Sequence, residues 1–292
     1  MQDGFTASTG ITVGMPQLGG CGLSESWLQK TCGEIHWRGL ADSLGRPAEQ
    51  WTDAAGRRVY AAFGLVRLVE ARLDRAREGQ ALELHSHLKA VGRSQAWSRH
   101  RLQTPEGDIG SLEMLSVFVG RGDDGSNRSV RRVPMREPGR ETWPDAQALA
   151  DQARALRLRT SAEAWRTSGP VLAFMPCPRG DFNGAGLVYF PSFTAWSDRA
   201  LFGWGRLAAT DRVTARECLF LGNQDIGQPV EVVWCGETVN AGARCLEVQV
   251  RCPTHRRVLA VVRTTTVRAG SEFQPGHRHE GVDHQGEDTH LE

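Results

Sequence analysis

Lysine and tyrosine are almost missing from this sequence. Only Lys30 and Lys89, and only Tyr60 and Tyr189, occur in 292 residues. The basic residues are therefore nearly all Arg, whose planar fork matches phosphate and carboxylate. Charge of one sign is missing too. The 35 basic residues offset 34 acidic ones, for a formal net charge of +1. That balance asks for neither nucleic acid nor an anionic membrane as partner. No apolar run approaches the roughly 20 residues that span a bilayer. The start, MQDGFTASTG, has neither the basic nor the apolar region of a signal peptide. The seven cysteines are odd in number and contain no C-x-x-C. That speaks against a disulfide framework or a zinc site and for a reducing cytoplasm. Cys32, Cys235 and Cys245 fall in patterned segments and are expected to be small core residues.

Apolar residues are plentiful, at 40% of the chain, enough for one large core or two ordinary ones. After a short polar start, ITVGMPQL reads as extended. In GGCGLSESWLQKTCGEIHWRGLADSLG, Leu23, Trp27, Leu28, Ile35 and Leu40 recur at near-helical spacing. Ser24 or Ser26 can cap that helix and Gly45 can end it. GRRVYAAFGLVRLVEARL follows as a strand. ALELHSHLKAVGRS then alternates Leu82, Leu84, Ser86 and Leu88 with Glu83, His85, His87 and Lys89, the period of a strand. QAWSRHRLQT and GSLEMLSVFVG continue the pattern across a turn at Pro105–Gly107. RGDDGSNRSVRRVPMREPGRETWP breaks it and reads as a solvated connection. DAQALADQARALRLRTSAEAW then reads as an amphipathic helix with Leu149, Ala153 and Leu156 on one side.

The order then repeats. VLAFMPCP is extended, and GDFNGAGLVYFPSF, Gly180 to Phe193, puts a glycine turn before an apolar helix. TARECLFLG, GQPVEVVWCGET, ARCLEVQVRC and RRVLAVVRTTTVRA read as strands. Met15-Pro16 precedes Gly22-Leu23 as Met175-Pro176 precedes Gly186-Leu187, and the two Gly-Leu pairs stand 164 positions apart. This is a domain-sized repeat of about 120–150 residues per unit. Four segments result: 1–120, a connecting 121–169 with its helix, 170–270, and a tail 271–292 without periodicity that is expected to be disordered.

A strand, a long helix after a glycine turn, and an antiparallel sheet round that helix resemble a hot-dog fold. Two in tandem make a double hot-dog, an α+β class. The motif Asp181-x-Asn183-Gly184-x-Gly186-x-x-Tyr189-Phe190 resembles the D-x-N-G motif of hot-dog thioesterases acting on acyl-CoA. The segment GMPQLGGCGLSESWLQKTCGEIHW is more specific. It resembles the opening of the bifunctional acyltransferase/decarboxylase family of leinamycin-type polyketide pathways. That resemblance implies conversion of methylmalonyl-CoA to a propionyl thioester on an acyl carrier protein. It implies no metal or other cofactor: CoA enters as part of the substrate, and the phosphopantetheine arm belongs to the carrier. It also implies a catalytic tyrosine early in the first hot-dog, at Tyr60, with Tyr189 the one competitor.

The chemistry asks for donors toward an enolate oxygen. Glycines let a thioester approach the backbone closely, and helix N-termini present unpaired N–H groups. An oxyanion-hole donor is worth about 2.7–4 kcal/mol. Gly20, Gly22, Leu23 and Ser24 in the first unit, and Gly184 to Leu187 in the second, Gly184 and Gly186 above all, are the expected substrate-binding turns. The side chain of Asn183 can donate to the thioester or cap the turn. Tyr60 can act as a nucleophile, which needs a neighbouring base or cation, or as a proton donor. Asp181 would repel a malonyl carboxylate and is expected to hold the turn. His36 and Glu34, on the first helix, are expected at most in support. Arg57, Arg58, Arg67 and the pair Arg131-Arg132 are candidates to meet CoA phosphates or an acidic carrier. His277, His279 and His284 in the tail lack a convincing ligand set, so no metal site is assigned. One chain supplies a hot-dog pair, so monomer and homodimer both remain open. Three alternatives compete: a double hot-dog thioesterase, a dehydratase, and a carrier-binding module without catalysis. The dehydratase is weakened by the lack of a His in either glycine turn.

Overall fold

The computed structural model describes residues 4–135, 144–162 and 169–268. The tail 271–292 and its histidines lie outside them.

The polar start is itself a strand, β1 (Phe5–Thr12), because its alternation leaves one face to water at a sheet edge. Two short strands, β2 (Leu18–Gly19) and β3 (Gly22–Leu23), pair as a tight hairpin. Helix α1 (Glu25–Leu44) follows. Ser24 caps it by accepting the Trp27 N–H, and Gly45 ends it at φ 63°. Strands β4 (Val59–Val69), β5 (Ala81–Val91), β6 (Gln95–Thr104) and β7 (Gly107–Gly120) complete the first unit. The connection adds a short strand, β8 (Arg131–Arg132), against β7, and helix α2 (Pro144–Ala162).

The second unit holds β9 (Val171–Phe174), α3 (Phe190–Gly203), β10 (Asp211–Phe220), β11 (Val230–Asn240), β12 (Ala243–Cys252) and β13 (Arg257–Arg268). All large strands join one antiparallel sheet in the order β1-β5-β6-β7-β4-β10-β13-β12-β11-β9. The fold is a double hot-dog of α+β class. Its helices α1 and α3 pack on one face, where Leu28, Cys32 and Ile35 meet Val66, Leu68, Phe193, Trp196 and Leu201. Helix α2 covers the other face: Leu149, Ala153 and Leu156 pack on Leu65, Leu115 and Leu219. Cys235 and Cys245 are only half-buried, unlike Cys32, because the end of β11 and the start of β12 extend past the core.

The two units are joined where β4 pairs with β10, over only four residue pairs from Arg216↔Leu68 to Leu219↔Leu65. Beyond Leu65 the strands part. β10 ends at Phe220, whereas β4 runs on to Val59 beside β7. Among the described residues, 60–64 thus have no neighbouring strand on that edge, and this split in the sheet shapes the candidate site.

A chain of buried polar side chains underlies α1. His36 is bonded through Nδ1 to Ser98 at 2.7 Å and through Nε2 to Ser116 at 2.8 Å. Ser98 also meets His100 at 2.9 Å, whose other ring nitrogen meets Ser86 at 2.8 Å. His36 therefore supports the core of the first unit. Burial, and secondarily the charge of His87, pushes His100 down to about 3. An unfolded histidine titrates near ~6.5. The neutral native His100 therefore contributes stability that is whole above that value and is lost as pH falls toward 3. The substitution His100→Gln should flatten the fall in stability between pH 7 and 4, measured by urea melts. An unchanged slope would remove His100 from the acid response.

Candidate active site

A cavity of about 460 Å3 occupies the split between β4 and β10. The helix side contributes Trp37, Phe63, Phe190 and Phe193, and the opposite side contributes Tyr60, Ala62 and Val119. The rings interlock: Phe63 and Phe190 lie edge-on with centroids 4.5 Å apart. Gly33 lets α1 come this close, since a Cβ there would meet the Phe190 ring at 3.2 Å. The two rims of the split are held by side chains in place of a neighbouring strand. Trp37 donates its indole N–H to the Ala61 carbonyl at 3.0 Å, and Arg157 donates to the Phe220 carbonyl at 2.8 Å.

The cavity brings together Tyr60, Asn183 and Gly184. Tyr60 is half-buried on β4. The guanidinium carbons of Arg58 and Arg121 lie 5.5 and 5.4 Å from the centre of its ring. Arg121 also donates to Asn127 Oδ1 at 2.8 and 3.0 Å and to the Ala185 carbonyl. It thus ties the tyrosine of the first unit to the glycine loop of the second. Two positive charges beside the Tyr60 ring would stabilise any negative charge developing near it.

The glycine loop is not the helix N-terminus that its sequence suggests. Helix α3 starts at Phe190 with Tyr189 as N-cap. The loop closes on itself upstream, with Phe182 bridged to Val188. The cause is the side chain of Asn183, whose Oδ1 accepts the N–H groups of Ala185 at 3.0 Å and Leu187 at 3.1 Å. Asn127 donates to the carbonyl of Gly186 at 2.7 Å, and Asn223 accepts the Val188 N–H at 2.9 Å. Gly186 sits at φ 69°, which favours glycine. Among the described residues, Gly184 N–H and Asn183 Nδ2 have no partner within the protein. Both belong to residues that line the cavity, which makes them candidate donors to an oxyanion there. Asp181 turns back on its own loop, accepting the Cys177 N–H at 2.8 Å, and does not line the cavity.

One substitution separates the observed loop-closing role of Asn183 from the donor role expected of it. Asn183→Asp keeps the Oδ1 acceptor that closes the loop and removes the Nδ2 donor. Its fold should persist by circular dichroism while turnover falls about 10²-fold or more. Wild-type turnover would leave Asn183 as a loop residue only.

Gly20, Gly22, Leu23 and Ser24 do not line this cavity. Gly20 is at the tip of the β2–β3 hairpin, Leu23 is core, and Ser24 caps α1. Gly22, at φ 109°, is covered by residues 73 and 74: a Cβ there would come within 2.3 Å of the Leu73 carbonyl. The corresponding turns of the two units have therefore diverged, one facing a cavity and one packed over. Gly186 borders the cavity loop without lining it. Of the arginine candidates, Arg58, Arg131 and Arg132 line the cavity. Arg57 is paired with Asp53 and Asp123, each at 2.9 Å, and Arg67 is bonded to Gln152 at 2.9 Å. Asn127, Asn223 and Arg157 escaped the sequence reading, and no motif marks them. Tyr189 lies outside the cavity with its hydroxyl pKa raised by burial and then by Glu34.

No protein-family model and no curated protein matches this sequence. Solved structures do resemble its fold. A putative oleoyl thioesterase from Lactobacillus plantarum superposes with a TM-score of 0.65 at 9% identity, covering 92% of this chain and 99% of that one. The 12:0-ACP thioesterase from Umbellularia californica gives 0.62 at 10% identity, over 90% and 94% of the two chains. An acyl-ACP thioesterase from Bacteroides thetaiotaomicron gives 0.57 at 11% identity, over 89% and 97%. At these identities the likeness establishes the double hot-dog fold.

Proposed function

We propose that the protein acts on acyl thioesters as an acyltransferase/decarboxylase, turning methylmalonyl-CoA into a propionyl thioester on an acyl carrier protein. The observation that carries this reading is the make-up of the cavity wall. Among the described residues it has a tyrosine, three asparagines and several arginines, but no Asp, Glu, His, Ser, Thr, Cys or Lys. Hydrolysis by an activated water, or dehydration, draws on a positioned acid–base residue such as His or a carboxylate. Decarboxylation needs none. The bond between the α-carbon and the carboxylate breaks, CO2 leaves, and the electron pair passes into the thioester as an enolate. In this reading Gly184 N–H and Asn183 Nδ2 hold the enolate oxygen, and the arginines around Tyr60 add positive charge. Tyr60 then delivers the proton that the α-carbon gains, and the carrier thiol displaces CoA as its free thiol; or the Tyr60 oxygen displaces CoA as its thiol, water supplies the α-carbon proton, and the carrier thiol displaces the tyrosine oxygen. The resemblance of GMPQLGGCGLSESWLQKTCGEIHW to the leinamycin-type family supports the same reading.

A second reading, hydrolysis of the thioester, is favoured by the thioesterase descriptions of the three similar structures. Intact mass spectrometry separates the two. The protein is mixed with methylmalonyl-CoA and a phosphopantetheinylated carrier protein, beside a control without the protein. A carrier that gains a propionyl group supports transfer with decarboxylation. A methylmalonyl-loaded carrier removes the decarboxylation step. Free acid with an unloaded carrier replaces the proposal with hydrolysis.

A further inference from the structure

The cavity in the split has two unlike sides. Arg128, Arg131, Arg132 and Arg257 line it and are exposed, so the charged side opens to water. Phe63, Phe190, Phe193 and Phe220 line it and are buried, so the aromatic side is closed. These rings come from β4, α3 and β10, and Trp37 of α1 joins them. They form one connected surface. The Phe63 ring centroid lies 4.5 Å from that of Phe190 and 5.5 Å from that of Trp37. Phe220 lies 6.4 Å from Phe190 and 5.4 Å from Phe193. Both units thus contribute to a single aromatic floor.

The floor has little room to yield. Trp37 is held at its indole N–H by the Ala61 carbonyl. Phe190 opens α3, and its ring lies so close to α1 that a Cβ at Gly33 would stand 3.2 Å from it. Behind the rings is packed core. Phe193 meets Trp196 with centroids 5.4 Å apart, and Phe63 and Phe190 share a buried cluster with Leu28, Cys32 and Ile35. Extra methylenes forced into an interior of this kind displace side chains from their rotamers and are disfavoured.

Polarity sets the direction in which a thioester enters. The phosphates of CoA or of a carrier arm remain with water and the exposed arginines. The acyl group, at the far end of the arm, is then the part that reaches the floor.

We propose that this aromatic floor limits the protein to acyl groups of propionyl or methylmalonyl size and excludes longer chains, with Phe63 and Phe190 setting the length. This inference rests on the reading of the cavity as an acyl-thioester site.

The test is calorimetric binding of unreactive CoA amides, with N–H in place of the thioester sulfur. Propionyl-CoA amide is compared with hexanoyl-CoA amide. An open apolar pocket would strengthen binding about fourfold for each added CH2 that it buries. A closed floor reverses that trend, and the wild-type protein should bind the hexanoyl probe at least tenfold more weakly than the propionyl one. Phe190→Ala should strengthen hexanoyl binding at least tenfold without strengthening propionyl binding. Phe190→Leu and Phe63→Leu, which keep an apolar side chain, should shift the preference in the same direction, and melting curves establish that each variant is folded. A wild-type protein that binds the hexanoyl probe as tightly as the propionyl one overturns the floor and leaves the thioester reading standing. Folded variants that keep the wild-type preference overturn the assignment to Phe63 and Phe190. A wild-type protein that binds neither probe overturns both the floor and the thioester reading.

Discussion

Replacing Tyr60 by Phe should lower the proposed turnover of methylmalonyl-CoA by about 10²-fold or more, with the protein still folded and its melting temperature close to that of wild type. A general acid or base typically contributes about 10²–10⁴-fold, and Tyr60 carries the only hydroxyl among the described residues of the cavity wall. Phe keeps the ring that Arg58 and Arg121 flank, so the cation–π contacts survive and only the oxygen is removed. Steady-state rates of propionyl-carrier formation measure the effect. Binding of methylmalonyl-CoA amide should change little. A variant that turns over at the wild-type rate would falsify a catalytic role for Tyr60. A variant that releases CO2 normally but fails to load the carrier would confine Tyr60 to acyl transfer. Loss of both steps would place Tyr60 at or before CO2 release, and trapping of an acylated wild-type protein by mass spectrometry would then identify it as the acyl carrier.

The largest effect on stability is expected at Arg216. Its side chain is 3% exposed and joins both helices of the inner layer to β10. It donates to Glu25 on α1 at 3.0 Å, to Asp198 on α3 at 2.8 and 3.2 Å, and to Thr264 on β13 at 3.0 Å. Removing one partner from a buried ion pair costs about 3–5 kcal/mol, because the remaining charge stays buried. Arg216→Leu should destabilise by that order in urea melts at pH 7.5. The pH dependence has a definite sign. Burial raises the pKa of Glu25, with Arg216 opposing and Asp198 adding to the rise. Without Arg216 the opposition is gone and the native pKa moves further up. A carboxyl with a raised native pKa stabilises the fold when protonated, and that contribution is lost as pH rises through the native value. The deficit of Arg216→Leu should therefore shrink between pH 7.5 and pH 5. A deficit below about 1 kcal/mol, the range of an exposed pair, or one that does not vary with pH, would show that the cluster is not the joint between the units.

Much of the fold was legible from local pattern. Ser24 and Gly45 mark the ends of α1 through capping and the left-handed region, both properties of a few adjacent residues. The period-two alternation of Leu82, Leu84, Ser86 and Leu88 marks β5, because a strand buries every second side chain. The D-x-N-G segment pointed to a glycine turn, and the family resemblance singled out Tyr60, with Tyr189 its one competitor. The start of α3 was misread, because glycines before an apolar run look the same whether they begin a helix or close a separate loop. What separates the cases is the hydrogen bonding of Asn183 to Ala185 and Leu187 and the support that arrives from Asn127 and Asn223.

The sequence by itself determined the strand and helix pattern, the two-unit repeat, and the presence of a tyrosine and an asparagine suited to thioester chemistry. Only the tertiary structure decided where a substrate could lie. The cavity exists because β4 and β10 pair over four positions and then separate, an event between strands about 150 residues apart in the chain. The same holds for which glycine turn is open. Gly22 and Gly186 stand at matching places in the two units, but a Cβ at Gly22 would come within 2.3 Å of the Leu73 carbonyl, whereas one at Gly186 would meet only Arg121, at 3.5 Å. Arg157 reaches the cavity wall only because α2 packs on the outer face of the sheet. Such contacts depend on shape and packing between distant segments, which local periodicity and short motifs do not encode.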